Sequence, residues 1–237
     1  MDFPKDFNIV LINIDGFRRD KIELCSTLNE LKEQSYYFSN ICTVAPYTFA
    51  SLHSVFSGTY PSKNGVNSYY NSLKFRKNEF KTITELLKKG GYYTSCDVIS
   101  KLVIPNLGFD DWNVFDENTI DFNSRHKNMI TRLSKKDKFF LFLHYTDTHK
   151  HLVREIVSKY KQDSNDDEYF KSQKENTKRF DSLLPSCDEY ISTIIQTLKD
   201  TGIYEKTIII FFSDHGTSIG EKKGEKFYGV YVYDYTA

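Results

Sequence analysis

The chain has 237 residues, with 32 Lys plus Arg balanced by 32 Asp plus Glu. A neutral balance with scattered basic residues gives no field to recruit nucleic acid or an anionic membrane. No apolar stretch approaches a membrane span, and the first residues lack the basic and apolar regions of a secretory signal, so the expectation is a soluble, cytoplasmic protein folded as one large domain, residues 1–237.

Residues 8–14 (Asn-Ile-Val-Leu-Ile-Asn-Ile) read as a buried strand, and Asp15 stands at its exit before Gly16. Residues 20–34 read as a helix, with Asp20 and Glu23 spaced as a capping box. Cys25, Cys42, Cys96 and Cys187 lie far apart without a Cys-x-x-Cys, which reads as reduced thiols rather than a disulfide framework. Residues 36–43 read as a strand. Pro46 forces an extended entry to a helix over residues 48–57, which Gly58 ends as a C′ residue. Further helices are expected at 80–89, before Gly90 and Gly91, and at 121–134. Strands are expected at 92–99 and 139–145. Residues 158–178 are strongly polar and read as a mobile insertion near the rim of a site. A long amphipathic helix follows over 179–200, with Ile191, Ile194, Ile195 and Leu198 at helical spacing. The strand at 207–213 closes the pattern, and the sequence then stops on the approach to another strand, as in an incomplete domain. Apolar strands alternating with helices predict an α/β fold: a central, mostly parallel sheet covered on both faces.

The exits of two such strands carry the chemistry. Asp214 and His215 follow the apolar run at 207–213, and Asp15 follows the first strand. Carboxyl ends of parallel strands line one sheet edge, where ligands bind, so these residues converge as ligands for a divalent cation. Thr48 falls at the start of a helix, where N–H groups and the helix dipole favour an alkoxide or the oxygens of a phosphoryl or sulfuryl group. An ordinary N-cap threonine is the competing reading. Ser51, one turn on, is a candidate hydrogen-bond donor to the bound anion. His53, His126 and His144 read as packed or unsupported histidines.

Four segments taken together resemble the sulfatase-like branch of the alkaline phosphatase superfamily: residues 8–16, ending Ile-Asp15-Gly; residues 45–66, containing Ala-Pro-Tyr-Thr48-Phe-Ala-Ser-Leu; residues 139–149, ending Thr-Asp-Thr-His149; and Phe-Phe-Ser-Asp214-His215-Gly-Thr-Ser-Ile-Gly-Glu221. The branch includes sulfatases, phosphoethanolamine transferases and lipoteichoic acid synthases. The resemblance implies that Asp15, Thr48, Asp214 and His215 hold one divalent metal ion (Mn, Mg, Ca or Zn). It implies that Thr48 is also the nucleophile, that His149 contacts the transferred or leaving group, and that Lys222 touches a substrate oxygen. Asp147 and His151 share the loop of His149 and compete for that place. The activity implied is hydrolysis or transfer of phosphate or sulfate esters, of a small molecule or a glycan, through a covalent threonine intermediate.

Three departures shape this expectation. Sulfatases carry Cys or Ser at the Thr48 position and convert it to formylglycine; threonine matches the phosphotransferase-type members. Asp15 is followed by Gly16 where sulfatases often have a second acid. Residues 228–234 lack the late histidine of relatives, which favours a single-metal site. The alternatives are a sulfuric ester hydrolase without formylglycine and an inactive domain that binds a glycan or partner. The sequence does not specify the substrate or oligomeric state.

Overall fold

The structure, a computed structural model, describes residues 7–149 and 172–220. Strands β1 (Asn8–Ile14), β2 (Tyr93–Val98), β3 (Asp111–Val114), β4 (Phe139–Tyr145) and β5 (Thr207–Phe212) form one all-parallel sheet in the order β3-β2-β4-β1-β5. Among the described residues the α-helices are α1 (Ser26–Glu33), α2 (Thr48–Ser57), the single turn α3 (Pro61–Asn64), α4 (Ile83–Lys89), α5 (Phe122–Leu133), α6 (Gln173–Asp181) and α7 (Leu184–Asp200).

The alternation of side chains along each strand sorts the apolar residues into two cores. Val10, Ile12 and Ile14 of β1, with Leu141, Leu143 and Tyr145 of β4, pack against α5 and α7. Leu11 of β1, with Phe140 and Phe142 of β4, packs against Leu52 and Phe56 of α2 and Leu87 of α4. Both faces are covered, as continuous apolar strands require. β1 and β4 sit at the centre of the sheet, so the residues that leave their carboxyl ends enter a protein-walled edge.

Several elements differ from expectation. Residues 20–34 split into a 3-10 helix, Arg19–Leu24, and α1, with Cys25 extended between them (φ −109°, ψ 102°). Asp20 does not cap, because Arg18 takes its carboxylate at 2.9 Å through Nε and Nη2. No strand forms over 36–43; Tyr36 is 95% exposed and Phe38 70%. α4 begins at Ile83, because Thr82 and Glu85 form the capping box there. The stretch 179–200 is two helices that break at Ser182 and Leu183, with Pro185 at the start of α7, where its missing N–H costs nothing. β3 went unpredicted because four residues reading Asp-Trp-Asn-Val show no clear period. Of the polar stretch at 158–178, residues 158–171 lie outside the described residues. The rest belongs largely to α6, anchored by buried Asn176 and Phe180. The four cysteines are free thiols. Among the described residues no helix is long and apolar enough to cross a membrane.

Candidate metal centre

β1 and β5 are in-register neighbours, so the residues that follow them leave the sheet side by side. Asp15, Asp214 and His215 meet there, each with a ligand atom within 4.8 Å of the others. All three are buried, at 4%, 1% and 0% exposure. His215 Nδ1 lies 2.9 Å from the Gly216 carbonyl, an oxygen that can only accept. The proton therefore sits on Nδ1 and the Nε2 lone pair faces the cluster. That Nε2 is 3.3 Å from Asp15 Oδ1 and 3.5 Å from Asp214 Oδ2.

Acceptors thus face acceptors. Both oxygens of Asp214 and Oδ1 of Asp15 are buried without a hydrogen-bond partner among the described residues. Such a convergence is costly unless a cation fills it. Asp214 is pushed above the usual carboxylate range by burial and by the Asp15 charge. Burial also disfavours the Asp15 charge, but His149, His144 and His215 outweigh it and hold Asp15 well below that range. Two like charges forced together in a buried site, one carboxylate without a hydrogen bond among the described residues, fit a divalent ion.

Thr48 completes the ring. Tyr47 is the N-cap, in an extended conformation, and Thr48 is the first helical residue of α2 rather than a cap. Its Oγ1 lies 3.1 Å from His215 Nε2, and the side chain is buried. His149, after β4, places its ring 5.5 Å from that of His215, with its proton affinity depressed to about 4 mainly by burial.

Hydroxyls fasten the backbone that carries the acids. Thr148 donates to the Asp15 carbonyl at 2.6 Å, and Thr217 to that of Gly16 at 2.7 Å. Thr43 and Ser51 lie 2.6 and 2.7 Å from the Asp214 carbonyl. Ser51, expected as a hydrogen-bond donor to a bound anion, has the Asp214 carbonyl as its partner in this structure. The Arg18 guanidinium spans to the Thr217 carbonyl at 2.8 Å. Gly16 has φ +68°, and a Cβ there would lie 2.7 Å from Thr217 Oγ1 and 3.1 Å from His149 Nδ1. A second acid after Asp15 has no room, which explains the Asp-Gly pair.

The match to known proteins agrees with this arrangement. The sulfatase family model matches residues 8–235. The chain belongs to the sulfatase family. No curated protein sequence matches it. Among solved structures, the yidJ protein of Bacteroides fragilis, a proposed sulfatase, superposes with a TM-score of 0.69 at 18% identity, over 93% of this chain and 64% of that one. The C-terminal periplasmic domain of EptC from Escherichia coli, in complex with zinc, gives 0.67 at 13% identity, over 98% and 72%. The lipoteichoic acid synthase LtaP of Listeria monocytogenes gives 0.67 at 20% identity, over 90% and 57%. The chain therefore spans less than two thirds of the Bacteroides and Listeria proteins. These likenesses fix the fold: an alkaline phosphatase-like α/β domain.

Lys222 lies outside the described residues. Two further residues stand at the centre: Asn13, which the sequence reading did not single out, and His144, which it took as a packed histidine. Asn13 Oδ1 accepts from the Asp214 N–H at 3.1 Å, and His144 Nε2 lies 2.9 Å from Asp15 Oδ2. They are partners in the β1–β4 register. A signal was present: each is the penultimate residue of its strand, and each is polar in an otherwise apolar stripe. His126, without visible support in sequence, is buried between Asp97 and Tyr190.

Proposed function

We propose that this member of the sulfatase family is a metal-dependent hydrolase or transferase of phosphate or sulfate esters, with Thr48 as the nucleophile. One observation supports it above the others. Three buried carboxylate oxygens without a hydrogen bond among the described residues, an imidazole lone pair and a hydroxyl at a helix N-terminus surround one point. Asp15, Asp214, His215 and Thr48 would hold the ion; two carboxylates, one imidazole and one hydroxyl suit Mn, Mg, Ca or Zn. When bound, such an ion lowers the proton affinity of a coordinated hydroxyl and draws charge from an ester oxygen.

The chain's own residues supply the rest. The first turn of α2 presents its positive end to the three equatorial oxygens of the transferred group. Thr48 Oγ1 releases its proton to solvent and attacks in line, forming the bond to phosphorus or sulfur as the bond to the leaving oxygen breaks and that oxygen takes up a proton. His149, its ring 5.5 Å from that of His215, contacts the leaving oxygen. Water or an acceptor alcohol then takes the group from Thr48 and restores the hydroxyl. Oxidation of a threonine carbinol gives a ketone, so the aldehyde hydrate of formylglycine enzymes has no route here. That favours phosphate esters, with a small molecule or a glycan as the carrier.

Turnover of bis-nitrophenyl phosphate and of nitrophenyl sulfate, by wild type and Thr48→Ala, with added metal and after chelation, tests the reading. Wild-type turnover of the phosphate should require metal, and Thr48→Ala should lower it by about 10³-fold or more. Equal rates in the two proteins would remove Thr48 from the chemistry. Metal binding without turnover of either ester would leave an inactive binding domain.

A further inference from the structure

His144 is a buried imidazole, 0% exposed, on the penultimate residue of the central strand β4. Phe115 and Phe142 flank its ring at centroid distances of 6.3 and 6.4 Å. Nδ1 is buried without a hydrogen-bond partner among the described residues, so the polar contact given to this ring is Nε2 to Asp15 Oδ2 at 2.9 Å. An imidazole in an aromatic pocket with one nitrogen unsatisfied costs stability that an aliphatic side chain would not. The compensating contact falls on one oxygen of one carboxylate.

The two oxygens of Asp15 are therefore unequal. Oδ2 accepts from His144, while Oδ1 faces His215 Nε2 at 3.3 Å and has no hydrogen bond among the described residues. The neighbouring β1 strand does the parallel service for the other acid, because Asn13, the register partner of His144, receives the Asp214 N–H. We infer that His144 is a positioning residue: its Nε2–H holds Asp15 Oδ2 back, so that Asp15 meets the cation through Oδ1 alone. This rests on the metal reading above. Holding a carboxylate by its second oxygen fixes the direction of the ligating lone pair and prevents bidentate binding.

Titration of the metal-free protein with Zn²⁺ against a chromophoric chelator tests this, using wild type, His144→Leu, His144→Gln and Asp15→Ala. Gln carries its amide nitrogen close to the place of Nε2; Leu fills the aromatic pocket and donates nothing. His144→Leu should bind Zn²⁺ about 10–100-fold more weakly than wild type. His144→Gln should recover most of that loss. Wild-type affinity in His144→Leu, with Asp15→Ala impaired, would overturn the positioning role and leave the metal reading standing. Equal weakness in the Leu and Gln variants would assign the ring to packing, which also overturns it. No Zn²⁺ binding by wild type, or equal binding by wild type and Asp15→Ala, would overturn the metal reading and this inference with it. If circular dichroism shows His144→Leu unfolded, His144→Asn replaces it. Its amide stops short of Asp15, so weaker binding than His144→Gln is expected, and equal binding refutes the role.

Discussion

Two buried Asp–His groups stand on this sheet, and they are built to opposite rules. Asp97, on β2, has every oxygen served: Oδ1 accepts from Arg125 Nη2 at 2.8 Å, and Oδ2 from Arg125 Nε at 2.6 Å and from His126 Nε2 at 3.1 Å. His126 Nδ1 in turn meets the Tyr190 hydroxyl at 2.8 Å, and Tyr190 stacks on Tyr145 with centroids 4.2 Å apart. That network ties α5 and α7 to the sheet. Asp214 is as deeply buried, yet neither of its oxygens is bonded among the described residues. A satisfied buried acid is a fastener; an unsatisfied one, beside a second acid and an imidazole lone pair, is a receptor for positive charge.

The difference predicts opposite responses to the same change. Asp97→Asn strips the charge that holds Arg125 and His126, and should cost about 3–5 kcal/mol in urea unfolding while Zn²⁺ affinity survives. Intact stability in that variant would erase the distinction. Added metal should come next in size. At a free concentration of about 100 times Kd, Zn²⁺ should stabilise wild type and Asp97→Asn alike by about 2.7 kcal/mol, and Asp214→Asn hardly at all, as read from Tm. Equal shifts in all three would move the ion away from Asp214.

Acid separates buried histidines from both acids. His53, a buried residue of α2, donates from Nδ1 to the Phe49 carbonyl one turn back at 2.7 Å, and burial lowers its proton affinity to about 4 from an ordinary 6.5. The unfolded chain gains a proton near 6.5 that the folded one refuses, so stability is full above that pH and declines as pH falls toward 4. His53 alone contributes a slope of about 1.4 kcal/mol per pH unit. Metal-free urea titrations from pH 7 to 4.5 should show His53→Leu with the shallower decline; parallel curves would place the titration elsewhere. The smallest effect sharpens the comparison most. Metal-free Asp214→Asn should be more stable than wild type by on the order of 1 kcal/mol, because it removes a charge repelled by Asp15. Destabilisation there would make Asp214 a second fastener.

Much of the fold was legible. β4 was read from five apolar residues in a row before His144 and Tyr145, and α2 from the proline entry and the Gly58 stop, since both signals are local. The capping box at Thr82 and Glu85 was not used, and Arg18 drew Asp20 away from the cap that spacing alone assigned to it. Strand exits marked Asp15, Asp214 and His215 because a parallel sheet gathers carboxyl ends on one edge. Helical spacing placed Ser51 toward the centre but did not name its partner, the Asp214 carbonyl, since it gives a side chain's azimuth alone. His144 was read as a packed histidine and His126 as an unsupported one, because a single histidine, whether in the apolar run of β4 or between Arg125 and Lys127, carries no record of the acid it meets.

The amino-acid order by itself determined the alternation of strands and helices, and with it a parallel sheet whose edge collects acids, for period and end signals act over a few residues. The tertiary structure alone decided which acid is bonded and which is bare. That depends on residues as remote as Asp97 and His126, or Asn13 and Asp214, meeting within about 3 Å, and hydrogen-bond satisfaction is a property of such meetings rather than of any stretch of chain.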